Sequence, residues 1–346
     1  MGNMLDDIKY IHDKDKSDAL GITEKQAQQL LHEFDLPEMK FPVDNIVFAG
    51  MGGSALAATL SLSWPGYNLP FEICRNYDVP AYVSDKTLFI ASSYSGNTEE
   101  TISALKQAAD KGAHVAVISA GGKLAEIAKE HNYPLAQLPS GIQPRHAVLY
   151  NFKALITILE RAGITANDKT ENELHEAAKW LSNQTADWLP TVPTAKNPAK
   201  RLAQECMGRS PVIYAGPKLY PAAYKWKINF NENAKNVAWC NAFPEFNHNE
   251  FLGWSSHPVD KPYTVIDLRS DLEHERVQKR FEVTERLLSG KRPAPEIVQA
   301  KGSTLLEQLL WTMMLGDFVS MYLGLLNGLD PAPVDLIEKF KKQLNK

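Results

Sequence analysis

Two rhythms of apolar and polar residues alternate along the chain. Short apolar runs end in small polar residues or glycine, and between them lie stretches whose apolar positions recur at helical spacing. In the first half "NIVFAG" (45–50), "FEICR" (71–75), "TLFIAS" (87–92), "HVAVIS" (114–119) and a short "YPLAQL" read as strands. "SALAATLSL", "TEETISALKQAADKG" and "KLAEIAKEH" read as the helices between them. A mostly helical stretch follows over 145–207, and then the rhythm resumes. "PVIYAG" (211–216), "VAWCN" (237–241), "YTVIDL" (263–268) and "EIVQA" (296–300) are strands, separated by the helical "YPAAYKWKINFNENA" and "ERVQKRFEVTERLLSG". A long helix, "STLLEQLLWTMMLGDFVSMYLGLLNG", comes next, and an amphipathic one, "PVDLIEKFKKQL", closes the chain. Short apolar strands joined by helical crossovers predict parallel sheets covered on both faces.

Residues 5–35 predict two short charged helices. The segments "NIVFAGMGGSALAATL" and "PVIYAGPKLYPAAYKW" both run strand, Ala-Gly, turn, helix, a faint internal repeat. The predicted organisation is a helical segment over 1–40, a doubly wound α/β domain over 41–145, a helical connection over 146–207 and a second doubly wound domain over 208–346. The polar loop "PTVPTAKNP" is the expected bridge between domains.

Composition narrows the function classes. With 44% hydrophobic and 23% charged residues the chain reads as a soluble globular protein. A net charge of −4, both signs mixed, gives no overall attraction for nucleic acid. Cys74, Cys206 and Cys240 are too far apart for a metal pair or a disulfide framework, so a reducing cytoplasm is expected. The start "MGNMLDDIKYIHDKDK" has no apolar core after a basic head, unlike a signal peptide. The stretch "LLEQLLWTMMLGDFVSMYLGLL" carries Glu307 and Asp317 and reads as a central helix rather than a membrane span. Neither nucleic acid nor membrane is an expected partner.

The chemistry sits at strand ends, where open α/β sheets bind ligands. "GMGGSA" (50–55) follows the first strand and fits G-x-G-x-x-A, but a dinucleotide site needs an acid closing the second strand, and that strand ends "CRNYD", with Arg75 and Asn76 there. A phosphate monoester fits better. Glycine lets backbone N–H groups approach an anion, as Gly53 would, and a helix N-terminus adds a favourable dipole. Ser54 from this loop, and Ser93, Ser95 and Thr98 from "SSYSGNT" (92–98), add hydroxyl donors. The competing reading is that Ser95, Asn97 and Thr98 merely cap the next helix, which uses the same groups. Histidines and cysteines show no metal-ligand spacing, so neither a metal nor another cofactor is expected.

"MGGS", "SYSGNTEET", "QPRHAV", "NENAKNVAW" and "PEFNHNEFLGW", in this order, resemble the bifunctional phosphoglucose/phosphomannose isomerases, two-domain proteins of the SIS (sugar isomerase) superfamily. The resemblance spans roughly residues 45–345 with no broken motif. "SYSGNTEET" is common to many SIS proteins and specifies sugar-phosphate binding, whereas "NENAK" followed by "PEFNHNE" is specific to the isomerase branch. It implies two tandem SIS-type domains and an aldose–ketose isomerase that interconverts glucose 6-phosphate, and mannose 6-phosphate, with fructose 6-phosphate through an enediolate. It assigns the proton-transferring base to Glu232, with Glu245 and Glu250 the next carboxylates in reach, and ring opening to His248. It also implies a homodimer in which His248 serves the neighbouring subunit's site. The fixed positive charge that an enediolate needs falls to Arg145, which without the resemblance would read as a surface arginine paired with a carboxylate. The family takes one lysine from the terminal helix. Val334, Ile337, Phe340 and Leu344 predict a buried stripe there, and Lys341 falls within it while Lys339 points away, so Lys341 is preferred to Lys339 and Lys342. A non-catalytic SIS regulator would keep "SYSGNT" without needing Glu232, His248 and Arg145 together. An SIS enzyme for another sugar phosphate would bring a different set of carboxylates or an extra domain.

Overall fold

The computed structural model describes residues 4–165, 169–256 and 262–344. Helices α1 (Ile8–Lys14) and α2 (Ala19–Glu24) open the chain, followed by a 3-10 helix at Gln26–Leu31. Then come β1 (Asn45–Gly50), α3 (Gly52–Ser61), β2 (Phe71–Cys74), β3 (Thr87–Ser92), α4 (Glu99–Asp110), β4 (His114–Ser119), α5 (Gly122–Glu130) and β5 (Leu135–Gln137). Helices α6 (Val148–Arg161), α7 (Thr170–Gln184) and α8 (Pro198–Glu205) lead to β6 (Ser210–Ala215), α9 (Tyr220–Glu232), β7 (Trp239–Ala242) and α10 (Glu250–Gly253). The chain ends with β8 (Tyr263–Arg269), α11 (Glu275–Leu287), β9 (Glu296–Gln299), α12 (Leu305–Leu326) and α13 (Asp335–Leu344).

The chain clusters into two units, residues 25–182 and residues 1–24 with 183–346. This division differs from the segments drawn from the sequence. The helical stretch after residue 145 is shared out, with α6 and most of α7 in one unit and α8 in the other. The loop "PTVPTAKNP" lies wholly inside the second unit, where Asn197 caps α8 by accepting the N–H groups of Ala199 and Lys200. Helices α1 and α2 join the C-terminal half. Tyr10 donates its hydroxyl to the Leu325 carbonyl at 2.6 Å, and Lys14 reaches that of Gly328 at 3.1 Å.

The first unit holds a parallel five-stranded sheet in the order β2-β1-β3-β4-β5. Its inner strands are buried on both faces, which is why they read as unbroken apolar runs. Val47, Ala49, Phe89, Ala91 and Val117 face α4 and α5, packing on Ala104, Leu105, Ala108, Leu124 and Ala128. Helices α3 and α6 pack on each other. The chain leaves β1 towards β2 and leaves β3 towards β4, so the winding reverses between neighbouring strands β1 and β3.

The second unit repeats this plan with four parallel strands, β7-β6-β8-β9, and the reversal falls between β6 and β8. One face packs on α11 through Val212, Tyr214, Val265, Val277, Phe281 and Leu288. Helix α12 packs along α9. It is long and apolar enough to cross a membrane, but 94% of that window is buried inside the protein. A capping box starts it, with Thr304 accepting the Glu307 N–H at 3.2 Å and Glu307 accepting the Thr304 N–H at 3.1 Å. Its glycines let α9 come close. Gly316 lies against the Trp226 indole, and a Cβ on Gly324 would meet the Asn233 carbonyl oxygen at 2.7 Å.

Candidate functional site

The winding reversal between β1 and β3 brings the two predicted loops together at the carboxyl ends of adjacent, hydrogen-bonded strands. Ser54, buried in the first turn of α3, accepts the backbone N–H of Tyr94 at 3.1 Å and ties the loops to each other. Ser93 is buried beneath the surface. Its hydroxyl accepts the Gly96 N–H at 3.1 Å and shares a hydrogen bond with Thr98 Oγ1 at 2.7 Å, with Ser95 Oγ 3.5 Å away. Gly96 takes a φ of +71°, and a Cβ there would run into the Gly121 backbone.

The capping reading is decided by geometry. Thr98 stands at the N-cap of α4, yet its side chain makes no capping hydrogen bond and turns to Ser93 instead. Helix α3 likewise starts at Met51 without a side-chain cap. Asn97 turns instead to the first turn of α5, accepting the Lys123 N–H at 3.1 Å. Two helix N-termini thus stand side by side with their first N–H groups uncapped by side chains, flanked by Ser54, Ser93, Ser95 and Thr98. Such an arrangement offers hydrogen-bond donors that an anion could accept.

The backbone turn that carries Arg145 packs beside the start of α3. It is a 3-10 turn, Pro144–His146, packed against Gly53, where a Cβ would meet the Pro144 carbonyl oxygen at 2.9 Å and the Arg145 nitrogen at 3.2 Å. Gly53 therefore admits this turn as well as exposing backbone. Arg145 is only 2% exposed, not a surface arginine.

The other predicted residues lie in the second unit. Glu232 is the half-buried last residue of α9. The turn after it is held by its neighbours. Asn231 donates to the Asn236 carbonyl at 2.9 Å and Asn233 to the Ser320 hydroxyl at 2.9 Å. Lys235 adopts a φ of +52° while its ammonium binds the Asp330 and Pro331 carbonyls at 2.9 and 3.0 Å. Further back, Lys225 and Asn229 both reach Asp317 of α12. Lys225, Asn229 and Asn233 thus form a buried polar ladder, one helical turn apart, that sets α9 against α12.

His248 ends a 3-10 turn, Glu245–His248, and is exposed. Glu245 and Glu250, the alternative carboxylates, are both engaged. Glu245 accepts from Asn249 at 2.6 Å, and Glu250 accepts the Tyr214 hydroxyl on one oxygen and Asn241 on the other at 2.7 Å. Tyr214 and Asn241 were not read from the sequence. Their signal was slight, a hydroxyl in the buried run "PVIYAG" that must find a partner.

The terminal helix departs from expectation. Its stripe is not buried, since Ile337 is 42%, Phe340 63% and Leu344 57% exposed. Among the described residues no other element covers α13, and Lys341 pairs with Glu338 at 2.8 Å in solvent. The orientation argument for Lys341 over Lys339 and Lys342 therefore has no support within the chain, because the stripe it assumed buried has no partner here.

The second unit's own reversal point is closed by the chain. His274 caps α11 by accepting the Arg276 N–H at 3.1 Å. Glu273, 6% exposed, crosses to the loop after β6, lies against Gly216 and accepts the Lys218 N–H at 2.7 Å as well as that of Leu219. Burial pushes this carboxyl above the ordinary glutamate range, against the pull of those N–H groups.

Comparisons with known proteins identify the family. A family described as "Bacterial phospho-glucose isomerase C-terminal SIS domain" matches residues 195–344. The bifunctional phosphoglucose/phosphomannose isomerase of Caldicellulosiruptor bescii is 36% identical over 87% of this chain and 90% of its own length. That of Aquifex aeolicus is 32% identical over 90% of this chain and 94% of its own. A D-glucosamine-6-phosphate 4-epimerase of Sulfolobus acidocaldarius is 36% identical over 67% of this chain and 73% of its own length. A solved glucose-6-phosphate isomerase like protein from Thermus thermophilus shares the fold, with a TM-score of 0.66 and 19% identity over 98% of both chains. With relatives of this identity matched over nearly their whole length, the chain belongs to the bifunctional phosphoglucose/phosphomannose isomerase family.

Proposed function

We propose that this chain is an aldose–ketose isomerase that interconverts glucose 6-phosphate and mannose 6-phosphate with fructose 6-phosphate. The observation that carries the reading is the pair of uncapped helix N-termini at the β1/β3 reversal, with four hydroxyls around them. This suits a phosphate dianion attached to a neutral sugar, whose remaining length extends beyond the loops. His248 moves protons at the ring oxygen and O1, so that the sugar opens. Glu232 takes the proton from C1 or C2 and returns it to the other carbon. Arg145 balances the charge that develops on the enediolate oxygens. One lysine of α13 assists ring opening, and alanine replacement of Lys339, Lys341 and Lys342 in turn identifies it.

The exposed His248 and the bare apolar face of α13 support a homodimer with His248 working across the interface. The reaction belongs to cytoplasmic carbohydrate metabolism, in glycolysis and gluconeogenesis. No step calls on a metal or a cofactor.

Proton NMR of the purified protein with fructose 6-phosphate and excess chelator tests the reading. Signals of both glucose 6-phosphate and mannose 6-phosphate are expected. Absence of both, or activity that returns only with added zinc, overturns it. Conversion of glucosamine 6-phosphate at C4, with fructose 6-phosphate untouched, would place the chain with the epimerase instead.

A further inference from the structure

The loop that carries His248 is fastened on both sides while His248 itself stands in solvent. On one side, Asn247 donates to Thr284 Oγ1 at 3.0 Å and accepts from Arg280 at 3.1 Å, both on α11. Phe246 is fully buried, its ring 4.5 Å from that of Tyr214 and 5.1 Å from that of Phe243. On the other side, two residues past His248, Glu250 receives Tyr214 from β6 and Asn241 from β7, one donor on each carboxylate oxygen. Tyr214 is held in turn. Trp254 donates its indole N–H to the Tyr214 oxygen at 3.1 Å, and the Arg292 guanidinium lies over the Tyr214 ring at 5.4 Å. Burial first, and then the Glu250 charge, push the Tyr214 hydroxyl far above its ordinary range, so it stays a donor.

A carboxylate engaged on both oxygens by buried or half-buried donors is poorly placed to shuttle a proton. It is well placed to hold a loop, because hydrogen bonds to a charged group are the strong ones. We propose that Glu250, clamped by Tyr214 and Asn241, is a positioning residue that fixes the His248 loop in the conformation that presents the imidazole for ring opening. This deepens the reading above and rests on its assignment of His248. A small misplacement of a catalytic group costs on the order of 10²-fold in rate, so the clamp has kinetic consequences although it touches no substrate.

The test uses Tyr214→Phe, which keeps the buried ring and removes one donor. In the variant the His248 backbone amide is expected to broaden in proton–nitrogen NMR, whereas an amide as sharp and unshifted as in the wild type overturns the clamp whatever the reaction is. Turnover of fructose 6-phosphate is expected to fall roughly 10- to 100-fold with KM little changed. Solvent deuterium exchange into 5-deoxyfructose 6-phosphate, which cannot close a ring, is expected to stay near wild type. In a His248→Ala background Tyr214→Phe is expected to add less than about a twofold loss, because positioning matters only while the imidazole is present. Independent, multiplicative losses overturn the proposal. Glu250→Gln keeps an acceptor for Tyr214 and is expected to retain exchange of the open analogue. If it abolishes that exchange, Glu250 is the base and not a clamp. Should Tyr214→Phe fail to fold, Asn241→Ala releases the other oxygen and is read in the same way. If His248→Ala leaves fructose 6-phosphate turnover intact, the ring-opening assignment fails while the amide measurement still judges the clamp.

Discussion

At the scale of single residues, Thr98 separates two roles that use the same atoms. Its hydroxyl bonds Ser93 at 2.7 Å and leaves the end of α4 uncapped, so no helix cap is lost with it. Ser95→Ala and Thr98→Ala are therefore expected to raise KM for sugar phosphates. Urea melts should shift by less than the ~0.5–2 kcal/mol that follows loss of a true cap, and a melt shifted that far at unchanged KM would restore the capping reading. For Glu232→Gln, general acid–base catalysis sets the scale, and kcat is expected to fall at least ~10²-fold with KM little changed. The same variant should stop deuterium from solvent entering C1 or C2. Exchange at the wild-type rate would move the base elsewhere. The loops after β1 and β3 and the turn at Glu232 stood out in the sequence because each is a contiguous run of unusual residue types. Arg145 was legible as a candidate but not as a buried residue, since its packing against Gly53 joins segments distant in sequence.

At the scale of elements, the sequence located all nine strands found among the described residues to within a few positions. The best matches, β1, β3 and β4, are the inner strands of the first sheet, whose apolar runs have no ambiguity of face. The edge strand β7, expected over 237–241, runs instead from Trp239 to Ala242, with Trp239 exposed. An edge strand buries fewer side chains, so its pattern marks its ends less sharply. The ladder of Lys225, Asn229 and Asn233 was not legible, because lysine and asparagine on a helix read as a solvated face. What makes them interior is Asp317 and Ser320 on α12. Close approach of these helices depends on small residues, and Gly324→Ala is expected to destabilise the fold by about 1–3 kcal/mol, as overpacking does. Because the displaced carbonyl belongs to Asn233, next to Glu232, kcat should fall as well. Thermal melts that match the wild type would show that α12 can shift without cost.

At the scale of the whole molecule, the first residues of the chain belong with its last half, through Tyr10 and Leu325. No local pattern announces a partnership across 315 positions of sequence. The faint repeat between the halves was legible. The structure shows where the likeness ends. The two halves share a winding plan, and they treat their reversal points in opposite ways. One leaves two helix ends uncapped by side chains, while the other brings its own counterion in Glu273. Under the proposed function, doubling the architecture is not expected to double the stoichiometry. Calorimetric titration with inorganic phosphate is expected to saturate at one equivalent per chain. Glu273→Ala frees the amide of Lys218 and is expected to lower Tm, with acetate or phosphate restoring part of the loss in a saturable way. A variant that ignores added anions would refute this. On the proposed function, the valence of the protein towards phosphate is expected to turn on a single side chain, with a second binding equivalent one substitution away.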